Sequence, residues 1–334
     1  MATQRSLRRL ASATNVLSFF LSRSALRGAH RSGCRSHTRR GVATAAASMS
    51  EDERYLFDLN GFLVLRGVFS EEEVSKANDA IDRHLEDVIE RQDPSLRNTR
   101  EKTPLAGDGE TGRMDLGGML GWEQPYCDPF RKMLADPRLA PYYNSLVGTG
   151  YRLDHQPLVI LQEKGSEGFC MHGGTIDCSS GKYNQHLAYG CHNGMLTNSL
   201  LGVSLQLSDH NEGDGGFMIV RGSHKSNFRM PQGMIDGESY VEHIHQPVTK
   251  KGDVVIFSEG TVHGAKAWRA DHQRRIALFR FAPPTMAYGR LCLMRNECLT
   301  RFLLNCFHLP RGLKEDRMCH QEFVFFYKLE DETV

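Results

Sequence analysis

Residues 252–275 read GDVVIFSEGTVHGAKAWRADHQRR, and the fold turns on them. Val254, Val255, Ile256 and Phe257 make a short β-branched and aromatic run, the composition of a strand covered on both faces. Gly252-Asp253 in front of it is a turn pair. Behind it comes a polar turn carrying Glu259 and His263, then a second turn, and Arg274-Arg275 opens another apolar run, Ile276–Phe281. Read locally, this is a β-hairpin with a histidine at its mouth and an arginine on the returning strand. Such a hairpin either borders a site between strands or carries a surface histidine and two solvated arginines.

Outward from that stretch, strand-like runs dominate the second half: 151–161, 200–207, 216–220, 244–249, 254–257 and 276–282. Turn signals separate them at Gly165, Gly173-Gly174, Gly213-Asp214-Gly215 and Gly252-Asp253. The first half reads differently. A helix is expected over 51–60 and a strand over 61–65, and Ser70 with Glu73 forms a capping box for a helix to about residue 91. Val74, Ala77, Ile81, Leu85 and Val88 give that helix an apolar face. Polar, glycine-rich residues 92–121 read as a long loop edging a cleft, and helical segments around Pro129 run to about Val147. The class is mainly β with flanking α-helices, a β-sandwich or jelly roll with an N-terminal helical layer.

The ends differ in composition. Residues 1–50 hold nine arginines and no Lys, Asp or Glu, which is how an organellar transit peptide is built. Import into a mitochondrion or plastid is expected, and Met49 offers an alternative start for a cytoplasmic form. Removing those nine charges from the formal net charge of +1 leaves −8 on the remainder, which argues against nucleic acid as a partner. No apolar run reaches the length of a membrane span. Nine cysteines without a CxxC pair fit a reducing compartment. The folded body is expected over 51–285. In the extension 286–334, a helix over 291–308 and an aromatic strand over 322–327 have no functional reading, and oligomeric state is not legible.

His172 follows the 151–161 run in Met-His-Gly-Gly, and His263 and Arg274 lie downstream. Two imidazoles from opposite strands can hold a divalent iron and leave positions for a co-substrate and oxygen. An arginine on the next strand is a fork for a dicarboxylate. The stretch 213–228, GDGGFMIVRGSHKSNF, resembles the signature of the phytanoyl-CoA dioxygenase-like proteins. The likeness runs over roughly 55–285, from Asn60-Gly-Phe-Leu-Val through Arg152-Leu-Asp-His, Met171-His-Gly-Gly and Thr261-Val-His-Gly to Arg274-Arg275. It implies a double-stranded β-helix (jelly roll, cupin-like), Fe(II), 2-oxoglutarate as co-substrate, ascorbate as an auxiliary reductant, and a small-molecule substrate. Carried over, His172 and His263 match the iron ligands and Arg274 the co-substrate anchor. Arg275 should face the other side of its strand.

Two departures stand out. Arg221 replaces a proline common in the family. Gly174 stands where the family's His-x-Asp places its carboxylate. Either another carboxylate completes the site, with Glu259 or Asp177 as candidates, or the position stays open for a halide as in iron halogenases, or the chain is a non-catalytic ligand-binding module. Glu259 discriminates among the three. Ser223, His224 and Lys225 are read as a stabilising turn, and His155 as a core or substrate-contacting residue. Trp268 and Tyr183 are pocket-lining candidates, and Cys170 and Cys178 buried reduced thiols rather than zinc ligands.

Overall fold

A computed structural model describes residues 48–90, 101–178 and 180–286. The leader up to residue 47 and the extension from 287 lie outside the described residues, with the helix and strand expected there. Met49 is buried in the core and Ser50 caps the first helix. Both therefore belong to the folded body rather than to the leader.

Helix α1 (Glu51–Asn60) opens with a capping box between Ser50 and Glu53. It ends at Gly61, φ 81°, whose N–H donates to the Phe57 carbonyl. A Cβ at Gly61 would lie 2.2 Å from Thr261 Oγ1, so both the left-handed turn and the close approach demand glycine. Strand β1 (Phe62–Leu65) follows, then α2 (Glu71–Asp82), with the expected Ser70–Glu73 capping box. The helix expected to reach residue 91 stops at Asp82. His84 Nδ1 lies 2.8 Å from the Ala80 carbonyl and its ring stacks on Trp122 at 3.9 Å. Leu85 is exposed beyond it, while Val88 still packs against the core from outside the helix. The chain then turns into β2 (Ile89–Glu90), which pairs with β3 (Met114–Leu116) inside the expected loop. Helices α3 (Asp128–Lys132) and α4 (Ala140–Leu146) fill the segment expected to be helical.

The remaining strands are β4 (Arg152–Leu153), β5 (Leu158–Gln162), β6 (Phe169–His172), β7 (Tyr189–His192), β8 (Met195–Asn198), β9 (Leu201–Gln206) and β10 (Gly216–Val220). After the short helix α5 (Gln232–Ile235) come β11 (Ile244–His245), β12 (Val254–Ser258), β13 (His263–Lys266) and β14 (Arg274–Ala282). The large sheet has the order β1-β12-β9-β14-β5-β3-β2, with β4 also on β14, and the small sheet the order β11-β10-β13-β6. Strands β7 and β8 form a separate hairpin. Every pairing is antiparallel among the described residues. The two sheets form the double-stranded β-helix core.

This topology corrects the local reading of 252–275. Strands β12 and β14 are not hairpin partners, because β9 lies between them and the intervening β13 belongs to the other sheet. The stretch leaves the large sheet, crosses to the small one and returns. His263 is therefore not at a hairpin mouth but on a strand facing the large sheet. The run 151–161 is likewise broken into β4 and β5, and 244–249 keeps only two strand residues. Strands β6 and β13 escaped a reading based on apolar runs because each is only four residues long and carries a ligand-type histidine, β13 among small and polar residues.

The large sheet is covered on both faces, which is why its strands read as continuous apolar runs. One face packs Leu63, Leu65, Val159, Val203, Ile256, Ala277 and Phe279 against α2, α3 and α4. The other turns Phe62, Ile160, Val255, Phe257, Ile276 and Leu278 inward, with Ile219 of the small sheet in the same cluster. Alternation along β14 then assigns its charged ends. Arg274 and Arg280 line the interior cavity, whereas Arg275 points outward to Asp82 at 2.7 Å.

Candidate metal centre

His172 and His263 are register partners across β6 and β13. Their rings lie 4.3 Å apart, centre to centre. His263 Nε2 is 3.4 Å from Glu259 Oε2. Ligand atoms of His172, Glu259 and His263 all fall within 4.8 Å of one another, the single such group among the described residues. Asp177 is outside it; its carboxylate caps its own turn, accepting from Ser180 N and Oγ at 2.6 and 2.7 Å.

The three groups are prepared for a divalent cation. His172 Nδ1 lies 3.0 Å from the Cys170 carbonyl, and His263 Nδ1 2.8 Å from the Thr261 carbonyl. A carbonyl only accepts, so each Nδ1 carries the proton and each Nε2 presents a lone pair. Burial, then the neighbouring His263, depresses His172 to about 3 despite the Glu259 charge. Burial likewise lowers His263. Burial opposes the charge on Glu259, but Arg280 and the two imidazoles outweigh it and hold the carboxyl at about 2. Two neutral imidazoles and an ionised carboxylate are the donor set of a two-histidine, one-carboxylate iron site, so the residues fit Fe(II).

The backbone leaves little room for a side chain at the family's usual carboxylate position. Gly174 has φ 86°, and a Cβ there would lie 2.9 Å from Val262 Cγ2. A Cβ at Gly173 would lie 2.7 Å from the Glu259 carbonyl oxygen. Gly174 N–H itself donates to that carbonyl at 3.3 Å, and Glu259 N–H donates to Leu200 O at 3.0 Å. The turn that delivers Glu259 thus occupies the space that a side chain after His172 would need.

A cavity of about 190 Å³ runs between the sheets from this cluster to Arg274. Its walls include Leu158, Phe169, Phe217, Phe257, Ile276 and Leu278. Arg274 is 3% exposed. Its Nη1 donates to Gln162 Oε1 at 2.6 Å, while its Nε has no hydrogen-bond partner among the described residues. Burial and the nearby Arg113 pull its pKa down to about 9. A buried guanidinium without a facing carboxylate is costly unless an anion completes it, and the fork is shaped for one.

The other singled-out residues have structural places. Ser223 Oγ donates to Val220 O and accepts from Val262 N, and His224 Nε2 lies 2.9 Å from the Asp58 carbonyl. The Ser-His-Lys turn therefore holds the segment before His263, as expected. His155 lies 2.9 Å from Asp154, outside the converging group. Trp268 is buried with its Nε1 donating to His272 O, and Tyr183 is exposed; neither lines the interior cavity. Cys170 and Cys178 are free thiols raised to about 11 by burial. Arg221 is exposed, beside His245. Sequence reading missed Gln162 and Arg280. Period-two spacing from Arg274 along β14 was the signal for Arg280.

Comparison with known proteins agrees with this geometry. Residues 57–276 match the family model for phytanoyl-CoA dioxygenase. Ectoine dioxygenase of Bordetella parapertussis is 24% identical over 251 residues, 68% of this chain and 73% of the relative. HygX from Streptomyces hygroscopicus, solved with nickel and 2-oxoglutarate, superposes with a TM-score of 0.57 at 22% identity, covering 75% of this chain and 95% of HygX. EctD from S. alaskensis gives a TM-score of 0.51 at 20% identity, covering 73% of this chain and 79% of EctD. No described helix is long and apolar enough to cross a membrane. The chain belongs to the phytanoyl-CoA dioxygenase family of iron- and 2-oxoglutarate-dependent oxygenases.

Proposed function

We propose that this oxygenase hydroxylates a C–H bond of a small molecule, with His172, Glu259 and His263 holding the iron and Arg274 anchoring 2-oxoglutarate. The balanced reaction converts R–H, O₂ and 2-oxoglutarate into R–OH, succinate and CO₂. Bound iron supplies the oxygen chemistry, which no side chain can perform. The protein's part is positioning. The two Nε2 lone pairs and Glu259 would hold the metal, and the Arg274 fork at the far end of the cavity would take the distal carboxylate. Phe169, Phe217, Phe257, Ile276 and Leu278 line that path, and apolar surroundings strengthen an ion pair.

The observation that carries the proposal is that ligand atoms of His172, Glu259 and His263 lie within 4.8 Å of one another. It favours hydroxylation over halide capture, because a carboxylate stands where a halide would need an open position. Small-molecule relatives point the same way: HygX has been solved with hygromycin B, and EctD with 2-oxoglutarate and 5-hydroxyectoine.

The test is iron-loaded protein with 2-oxoglutarate and oxygen, followed by succinate release and by metal content. Glu259→Ala should lose both iron and succinate. Arg274→Lys should keep iron but raise the 2-oxoglutarate KM about tenfold or more, the cost of losing a charge-assisted fork, while the outward-facing Arg275→Lys should not. If Glu259→Ala keeps its iron and chloride alters the iron's absorption, the halogenase reading replaces this one. A parent that binds no iron ends both.

A further inference from the structure

Arg280 lies six residues beyond Arg274 on β14, on the same face and at the other end of the cavity. Its Nε donates to Glu259 Oε1 at 2.6 Å. The other carboxylate oxygen, Oε2, is the one turned toward His263 Nε2. The two oxygens of Glu259 therefore have different assignments. One is committed to the guanidinium and one faces the imidazoles.

That division matters for the number of positions a metal would have left. A carboxylate can bind a cation through one oxygen or through both. Two imidazoles and one carboxylate oxygen leave three of six octahedral positions. Two are needed for the keto acid and one for oxygen. If both carboxylate oxygens bound, only two positions would remain, too few for keto acid and oxygen together. Glutamate is the risky residue here, because its extra methylene gives it freedom to swing both oxygens onto the cation.

We propose that Arg280 is a positioning residue that holds Glu259 to one-oxygen coordination and so keeps the co-substrate's positions open. The proposal rests on the metal-centre reading above. Arg280 suits the task because it is fixed on both sides. Its backbone pairs with Gly202 of β9 in the large sheet, and its carbonyl accepts from Asp154 N–H at 2.8 Å. A guanidinium is planar and donates from fixed directions, so the contact to Oε1 also fixes how the carboxylate is turned.

Oxygen-free titrations on the full chain test this, first with Fe(II) alone and then with 2-oxoglutarate. Metal uptake is read by metal analysis, and co-substrate binding by the visible absorption that appears when the keto acid joins the iron. Arg280→Gln should bind Fe(II) at least as well as the parent but bind 2-oxoglutarate about tenfold more weakly or worse. Arg280→Lys, which keeps the charge without the fork, should fall between them. Loss of Fe(II) in Arg280→Gln would show that the arginine merely supports the site, and would overturn the proposal. So would parent-like 2-oxoglutarate binding. Should Arg280→Gln fail to fold, Arg280→Lys decides alone, and unchanged co-substrate affinity in it overturns the idea. A parent that takes up no Fe(II) instead defeats the metal-centre reading itself.

Discussion

Gly174 and Glu259 are two halves of one arrangement. The glycine backbone sits in the left-handed region, and its N–H donates to the carbonyl of the residue that brings the carboxylate. Restoring the family's aspartate at 174 should therefore not improve the site. A non-glycine residue at φ 86° costs about 1–3 kcal/mol, and its Cβ would press on Val262 beside His263. Gly174→Asp is expected to melt at lower temperature and to leave a Glu259→Ala background without iron. A Gly174→Asp, Glu259→Ala double variant that binds iron and releases succinate would show that the two positions are interchangeable.

Among elements, the Ser223–Lys225 turn ties helix α1 to the strand that carries His263. It reaches α1 through His224 and Asp58, and the segment before β13 through Ser223 and Val262. His224 is 1% exposed, and burial lowers its imidazole to about 4 against the pull of the Asp58 carbonyl. The fold holds this ring neutral, whereas the unfolded chain takes up a proton below about pH 6.5. Its contribution is thus full above pH 6.5 and is lost as pH falls toward 4, with a slope of at most about 1.4 kcal/mol per pH unit. Metal-free parent protein should lose melting temperature steadily between pH 7 and 5. His224→Gln should start lower but decline more gently over the same range. Parallel pH profiles for the two proteins would remove His224 from the account.

At the scale of the whole molecule, we propose that the leader directs import into a mitochondrion or plastid, as its nine arginines and absence of acidic residues imply. Because Met49 is buried in the core and Ser50 caps α1, cleavage should fall before Met49. A reporter fused behind residues 1–48 is expected to enter an organelle and to be shortened there. Diffuse cytosolic fluorescence would dismiss the leader. The organellar reading concerns the leader alone; the oxygenase assignment stands independently on residues 57–276.

Local patterns in the sequence determined a good deal. Composition and turn spacing set a mainly β body behind a helical layer, because buried strands need apolar residues and turns need glycine wherever they occur. Alternation put Arg274 and Arg275 on opposite faces, since side-chain direction in a strand depends only on neighbours. Glu259 stood out as a candidate from its place four residues before His263. Only the tertiary structure puts its carboxylate, and not that of Asp177, beside the two histidines. That choice depends on which distant strands pair: β13 crosses to the small sheet, His263 meets His172 across it, and the same crossing closes the space behind Gly174. The Arg280 contact, the Gln162 contact to Arg274 and the early end of α2 belong to the same class. Each is decided by packing between segments far apart in the chain, where a local pattern carries no information about the partner.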